Sequence, residues 1–195
     1  MLSGFEGINR YFEGGSGQWI AQILPGDFYV SRSDEIISTV LGSCVSTCIR
    51  DAAARLGGMN HFMLPDDPSG KEGASARYGV AAMEQLINAL MNRGANRDAL
   101  EIKIVGGGRV ISGMGDVGRS NVEFVRAFLL AERMPIQVED VGLAVARRVR
   151  YHPVTGQLRV LHLPMSANIA VAKRETELAS KIRVAVRRPG NVELF

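Results

Sequence analysis

The chain has 195 residues, 46% apolar and 22% charged, which is typical of one soluble globular domain and excludes a low-complexity or fibrous chain. No apolar run approaches the roughly 18 residues of a membrane-spanning helix, and the N-terminus lacks the apolar stretch of a signal peptide. We therefore expect a cytoplasmic protein without membrane insertion. The net charge of +3 is carried from Ser166 onward, where six basic residues accompany three acidic ones. A basic tail on a neutral body argues against nucleic-acid binding.

The first half of the chain is predicted to be rich in strands. Residues 1–26 are interpreted as a flexible leader. The alternation of Val45, Thr47 and Ile49 with polar neighbours is the period of two of a half-buried strand. A helix is predicted over residues 74–93, where apolar residues recur at helical spacing before Gly94. Strands are predicted over residues 27–31, 36–41, 44–51 and 57–64.

The second half continues the alternation of strands and helices. Ser120 and Glu123 form a capping-box pattern that predicts a helix over residues 120–133. The glycine-dense residues 105–118 lack the phosphate-binding motifs and are interpreted as a loop near the active site. Further strands are predicted over residues 100–105, 136–141, 147–151 and 157–163. These elements give a mixed α+β domain over residues 27–165, with packed β-sheets flanked by helices. Residues 166–195 are interpreted as a basic C-terminal tail containing a short helix over residues 171–182.

The two cysteines, Cys44 and Cys48, are not expected to act together. Cys44, Cys48 and His61 would form a zinc set only if the cysteines lay on a helix. On a strand, residues four apart are separated by about 13 Å, too far for one zinc ion or for a disulfide. Cys48 is therefore interpreted as a core residue, and His152 and His162 as structural histidines.

Cys44 and His61 are predicted to meet across a hairpin. A turn centred on residues 52–53 pairs residues whose numbers sum to 105, and this register places Cys44 opposite His61. An imidazole beside a thiol can accept its proton and produce a nucleophilic thiolate. The alternative interpretation, that both are ordinary core residues without a chemical role, stays open at this point.

Several neighbours of the cysteine could support this chemistry. Gly42 leaves room for a substrate to approach the backbone, and the amides around Ser43 and Cys44 could donate to an oxyanion. A third group is needed to fix the tautomer of the imidazole. Its candidates are Ser38, Thr39 and Asn60.

The sequence resembles the CheD family, the chemoreceptor glutamine deamidases of bacterial chemotaxis. The similarity is carried first by LGSCVSTCIRD (41–51) and GGMNHFMLP (57–65). It continues through IKIVGGGRVI (102–111), GRSNVEFV (118–125), IQVEDVG (136–142) and RRVRYHPVTGQLRV (147–160), so it covers roughly residues 27–163. The leader and the basic tail carry no such signature.

The resemblance implies a function and a site. The family's catalytic cysteine falls on Cys44 and its histidine on His61. Its third catalytic residue, a threonine six positions before the cysteine, falls on Ser38, with Thr39 beside it. The implied reaction converts glutamine side chains of methyl-accepting chemotaxis receptors to glutamate through a thioester, without cofactor or metal. A CheC-type phosphatase is an implied partner. The competing hypothesis is a non-catalytic adaptor that binds chemoreceptors or such a phosphatase.

Overall fold

The computed structural model describes residues 2–64, 72–110 and 116–187. Within these residues the chain forms ten strands and three α-helices. The helices are α1 (Glu72–Met91), α2 (Val117–Ala131) and α3 (Met165–Arg187). The strands are β1 (Asn9–Glu13), β2 (Gln18–Gln22), β3 (Phe28–Ser31), β4 (Glu35–Leu41), β5 (Val45–Asp51), β6 (Leu56–Asn60), β7 (Leu100–Gly106), β8 (Ile136–Val141), β9 (Arg147–Tyr151) and β10 (Leu158–His162). None of the helices in the described part is long and apolar enough to cross a membrane.

The strands form two five-stranded sheets, which confirms the predicted α+β class. The first sheet has the order β1-β2-β4-β9-β10, and the second has the order β3-β6-β5-β7-β8. Each is mixed, because β2 runs parallel to β4 and β7 runs parallel to β8. One buried apolar cluster joins Ile37 and Val149 of the first sheet, Ile49 and Ile104 of the second, and Leu86 of α1. The second sheet is therefore the middle layer of the molecule.

Strand β5 is buried on both faces rather than half-buried as predicted. Six of its seven residues are buried, and all of β6 is buried. Helix α1 covers one face, where the Thr47 hydroxyl lies 3.3 Å from the Met83 sulfur. Gly58 allows this close packing, because a Cβ there would lie 2.8 Å from a methyl group of Leu86. Ser46 and Thr47, which the alternation places on opposite faces of the strand, therefore both lie in the core.

The N-terminal residues differ from the predicted flexible leader, because residues 9–22 form the hairpin of β1 and β2. Its support comes from distant parts of the chain. β2 pairs with β4, and Arg10 both lies over the Trp19 ring and forms an ion pair with Glu35 at 2.7 Å. Tyr11, Phe12 and Trp19 remain exposed, so the segment lacks the buried alternation that identifies a strand. Pairing with β4, not local sequence, makes it a strand.

Two helices also differ in extent from their predictions. Helix α2 begins at Val117, because the Asp116 side chain accepts the Arg119 N–H and caps the helix four residues earlier than Ser120 could. Ser120 instead donates to the Asp116 carbonyl. Helix α3 starts at Met165 and runs for 23 residues, so most of the predicted basic tail is one long helix.

Candidate active site

The segment Gly42–Cys44 crosses between the two sheets. It follows β4 of the first sheet and leads into β5 of the second. His61 follows the last residue of β6, the antiparallel neighbour of β5. Because β5 begins where β6 ends, Cys44 and His61 lie at the same end of this pair of strands. A ring nitrogen of His61 lies within 4.8 Å of the Cys44 sulfur.

The predicted hairpin register was wrong by two residues. Asp51 pairs with Leu56 and Cys48 with Met59, so paired numbers sum to 107. The turn is wider than a two-residue turn: Asp51 Oδ1 accepts the Ala54 N–H, and Arg55 has a φ of +50°. Alanines do not favour the positive φ values that a two-residue hairpin turn requires. Cys44 and His61 therefore lie diagonally across the hairpin rather than directly opposite each other.

Thr39 fixes the orientation of the His61 ring. Its Oγ1 lies 2.8 Å from His61 Nδ1 and donates to the Ile23 carbonyl at 2.9 Å. A hydroxyl has one proton, and here the Ile23 carbonyl accepts it, so Oγ1 must accept from Nδ1–H. We infer that neutral His61 carries its proton on Nδ1. Nε2, which has no hydrogen-bond partner in the described part of the chain, is then the basic nitrogen.

Ser38, the residue at the family's spacing, does not contact His61 in this way. Its hydroxyl donates to the Val149 carbonyl at 3.0 Å. Ser38 and Thr39 are consecutive on β4, so their side chains point to opposite faces of the sheet. Of the two side chains, that of Thr39 points toward His61. The geometry therefore favours Thr39 over Ser38 as the residue that orients the ring.

Both members of the Cys44–His61 pair are buried, and burial disfavours the charged form of each. Burial raises the pKa of the Cys44 thiol well above its ordinary value, and the nearby Glu175 carboxylate raises it further. Burial lowers the pKa of His61 to about 4, an effect that the Glu175 charge opposes. Near neutral pH the site therefore holds a thiol beside an imidazole, not a thiolate beside an imidazolium.

The Glu175 carboxylate of helix α3 fills the site. Its Oε1 accepts the N–H groups of Gly42 at 2.8 Å and Cys44 at 3.1 Å. Its Oε2 accepts the Ser43 N–H at 2.7 Å and the Ser43 hydroxyl at 2.6 Å. Gly42 is needed for this approach, because a Cβ there would lie 2.7 Å from Oε2. The segment before and including the cysteine is thus an anion-binding loop with four donors.

Cys44, His61 and Glu175 are also the set, among the described residues, that could hold a metal ion. One possible ligand atom from each lies within 4.8 Å of the other two. The four donors around the carboxylate argue for an anion site instead, because N–H groups present positive charge to whatever lies between them. The carboxylate already uses both of its oxygens for these donors.

Backbone packing holds the loop that carries Cys44 in place. The Gly107 N–H donates to the Cys44 carbonyl and the Gly108 N–H to the Gly42 carbonyl, both at 2.7 Å. Gly106 has a φ of +113°, and a Cβ there would lie 2.3 Å from the Cys44 carbonyl oxygen. The glycine run thus lies beside Cys44 in close backbone contact, whereas residues 111–115 of the predicted loop lie outside the described residues and residues 117–118 belong to α2.

Asn121 of helix α2 completes this support. Its Nδ2 donates to the Ser43 carbonyl at 2.7 Å, and its Oδ1 accepts the Leu64 N–H at 2.8 Å. The side chain is fully buried, so it ties the loop before Cys44 to the segment after His61. Helix α2 therefore fixes the distance between the two halves of the site.

The remaining predicted residues make contacts of other kinds. Asn60 accepts the Thr47 N–H at 2.8 Å and donates to the Ala82 carbonyl, so it joins β5 to α1. Cys48 is a fully buried free thiol in the core. His152 and His162 contact Asp34 and Asp140, respectively. These contacts agree with structural roles for both histidines.

Sequence reasoning missed Glu175. It is 131 residues from Cys44, and its neighbours give no motif. The one signal in the sequence is helical spacing: Glu175 shares a helix face with Asn168, Val171 and Ala179, which are the other buried positions among the described side chains of α3. An acid at such a position needs a buried partner, and the partner here is the anion-binding loop.

The chain is similar to known proteins along its whole length. A family model described as CheD chemotactic sensory transduction matches residues 63–162. A protein of Halorhodospira halophila named probable chemoreceptor glutamine deamidase CheD is 43% identical, over 100% of this chain and 93% of its own length. A protein of Hahella chejuensis with the same name is 41% identical, over 100% of this chain and 93% of its own length. A protein of Dechloromonas aromatica named probable chemoreceptor glutamine deamidase CheD 1 is 44% identical, over 96% of this chain and 94% of its own length.

Proposed function

This chain belongs to the CheD family, and on that premise we propose that it deamidates glutamine side chains of chemoreceptors with Cys44 as the nucleophile. His61 is proposed as the group that carries the proton, and Thr39 as the residue that orients it. The observation that carries the proposal is the contact between Thr39 and Nδ1 of His61, because it leaves Nε2 basic in a site shared with a thiol.

The proposed reaction proceeds through an acyl-enzyme. His61 accepts the thiol proton, and the Cys44 sulfur attacks the carbon of the glutamine side-chain amide. The C–N bond then breaks, and His61 returns the proton to the nitrogen, which leaves as ammonia. A water molecule, deprotonated by His61, hydrolyses the thioester and leaves glutamate and the free thiol.

The anion-binding loop is proposed to be the oxyanion hole. The backbone nitrogens of Gly42 and Cys44 lie 2.8 and 3.1 Å from Glu175 Oε1. These are the distances expected between the donors of an oxyanion hole and the oxyanion. The negative charge of a tetrahedral intermediate develops next to the nucleophile, which is where these amides converge. The Ser43 hydroxyl, which can accept as well as donate, is proposed to accept from the NH₂ group of the substrate side chain.

Mass spectrometry of a chemoreceptor cytoplasmic domain tests this proposal. We expect the protein to release ammonia and to convert receptor glutamines to glutamates. Cys44→Ala should abolish both signals, whereas the matched variant Cys48→Ala should retain them, because Cys48 lies in the core away from the loop. Full activity of Cys44→Ala contradicts the assignment of the nucleophile.

The adaptor hypothesis remains the second candidate, because Cys44 is buried and its burial raises the pKa of the thiol. It predicts receptor binding without thiol-dependent ammonia release. Association with a CheC-type phosphatase is a further proposal, supported by the family resemblance, and a pull-down with the purified phosphatase tests it. A cytoplasmic location is proposed too, in keeping with two free thiols.

A further inference from the structure

The described side chains of helix α3 contact the rest of the protein along one narrow strip. Asn168 fastens its start, accepting the Ala146 N–H and donating to the Ala144 carbonyl, both at 3.0 Å. Val171 lies over Gly42, and Glu175 enters the anion-binding loop. Outside the strip, Ile169 is 79% exposed. The described part of the helix is held by few buried side chains, which is typical of segments that open locally before the whole protein unfolds.

The carboxylate of Glu175 has the chemical identity of the reaction product. A glutamate side chain is what deamidation of glutamine leaves in the site. Its Oε1 takes the place that a substrate carbonyl oxygen needs between the Gly42 and Cys44 amides. Its Oε2 takes the place of the amide nitrogen, or of the oxygen that water supplies. Substrate and Glu175 therefore cannot occupy the site together.

We propose that α3 is an intramolecular inhibitor that holds Glu175 in the acyl site as a product mimic, so that a substrate segment must displace it. The inference rests on the proposed function, because it assumes that the loop receives a glutamine side chain. Glu175 is not a catalytic residue in this assignment, since both of its oxygens are used by loop donors where the substrate must bind.

The hydrogen bonding explains why the inhibitor carries glutamate rather than glutamine. A carboxylate accepts from all four donors of the loop. An amide with its oxygen at the Oε1 position would direct an NH₂ group at the Ser43 N–H, where donor meets donor. Glutamate also has no ammonia to lose, so the helix is not consumed by the reaction.

Receptor deamidation by the full-length protein is the first test. The variant is Glu175→Ala, and its matched control is Glu177→Ala, which removes an exposed acid from the same helix. Loss of even one of the four hydrogen bonds to the carboxylate corresponds to roughly a tenfold change, so we expect Glu175→Ala to have at least about tenfold higher kcat/KM than wild type. Glu177→Ala should match wild type. Equal or lower kcat/KM for Glu175→Ala overturns the inference and leaves the deamidase proposal standing.

Alkylation with iodoacetamide tests the inhibitor without requiring catalysis. Cys44 in Glu175→Ala should react at least about tenfold faster than in wild type, because both the barrier and the negative charge are removed. Cys48 serves as the internal control and should react at an unchanged, slow rate. If Cys44 reacts equally slowly in both proteins, helix α3 is not the barrier, whatever the receptor assay shows.

The variant Glu175→Gln makes the inhibitor a substrate. Cys44 bonds to the side-chain carbon, ammonia leaves with the proton from His61, and water cleaves the thioester to leave a carboxylate at position 175. We expect peptide mass spectrometry to find the acid in Glu175→Gln and the amide in the Cys44→Ala, Glu175→Gln double variant. An amide that persists in protein active on receptors overturns the product-mimic assignment. If receptor activity is absent as well, the proposed function fails and alkylation decides the inhibitor separately.

Discussion

Replacing Thr39 with valine tests how His61 is held. Valine has nearly the same shape as threonine but lacks the hydroxyl that accepts from Nδ1–H and donates to the Ile23 carbonyl. In the proposed reaction His61 becomes positively charged, and a hydrogen bond from a charged group is worth about 1.5–3 kcal/mol. That loss corresponds to a fall in kcat/KM of roughly 10- to 150-fold.

Matched variants separate this effect from general damage. Thr39→Ser keeps the hydroxyl and should stay within about threefold of wild type, with some loss because serine lacks the stiff branched side chain. Ser38→Ala removes the neighbouring hydroxyl, which contacts the Val149 carbonyl, and should stay within about twofold. The Thr39 side chain does not hydrogen-bond to Glu175, so the docked fraction of α3 should be equal in all three proteins.

The assay is ammonia release from a receptor cytoplasmic domain, with thermal unfolding recorded for each variant. Thr39→Val leaves two buried polar groups without a partner and should lower Tm by about 2–10 °C, so the rates are measured well below the transition. Thr39→Val with more than half of the wild-type kcat/KM refutes the orienting role. If Ser38→Ala loses as much activity as we expect of Thr39→Val, the family spacing gives the correct residue and the geometric assignment is wrong.

Two further predictions concern the framework around the site. Arg147 is fully buried and donates to Asp140 and to the Gly142 and Val145 carbonyls. Arg147→Met should therefore lower the free energy of unfolding by about 3 kcal/mol, as measured by thermal unfolding. The control Arg126→Met, which breaks the exposed ion pair with Glu139, should lower it by less than about 1 kcal/mol. Burial acts to raise the pKa of Asp140, but hydrogen bonds from Arg147 and His162 lower it overall. The contribution of Asp140 to folding stability is therefore present above the unfolded pKa of about 3.9 and is lost as pH falls through the lower folded value. An equal loss of stability at acid pH in Arg147→Met would contradict this. Gly106→Ala should abolish deamidation, because the added Cβ meets the Cys44 carbonyl. The control Gly142→Ala, at a φ of +76° with open space around it, should lose about 1 kcal/mol of folding stability and stay active. Activity in Gly106→Ala would show that the loop tolerates displacement.

The Cys44–His61 pair could be predicted from sequence despite an error in the register. The actual pairing is shifted by two residues, and a shift of two returns each side chain to the same face of the strand. A shift of one would have separated the thiol from the imidazole. The choice between Ser38 and Thr39 depends on such a single step, so it required the structure.

The positions that sequence could not predict are those stabilised by distant segments. β1 and β2 are strands because β4 is available as a partner, and Glu175 is buried because a loop more than 130 residues away supplies its donors. Neither has a local pattern strong enough to indicate its partner. The glycines at positions 106–108 could be placed near the site by their motif, but only the coordinates show that they contact the carbonyls of the loop.

The position of Glu175 also reconciles a buried, protonated thiol with nucleophilic catalysis. Burial and the carboxylate charge are the two largest causes of the raised pKa of Cys44, and both arise at least partly from helix α3. Departure of the helix admits water and removes the charge, so both changes lower the pKa of the thiol. The cysteine then becomes reactive only when the site is open to a substrate. While the helix is docked, the same contacts protect the sulfur from oxidation, because oxidants attack exposed thiolates faster than buried thiols.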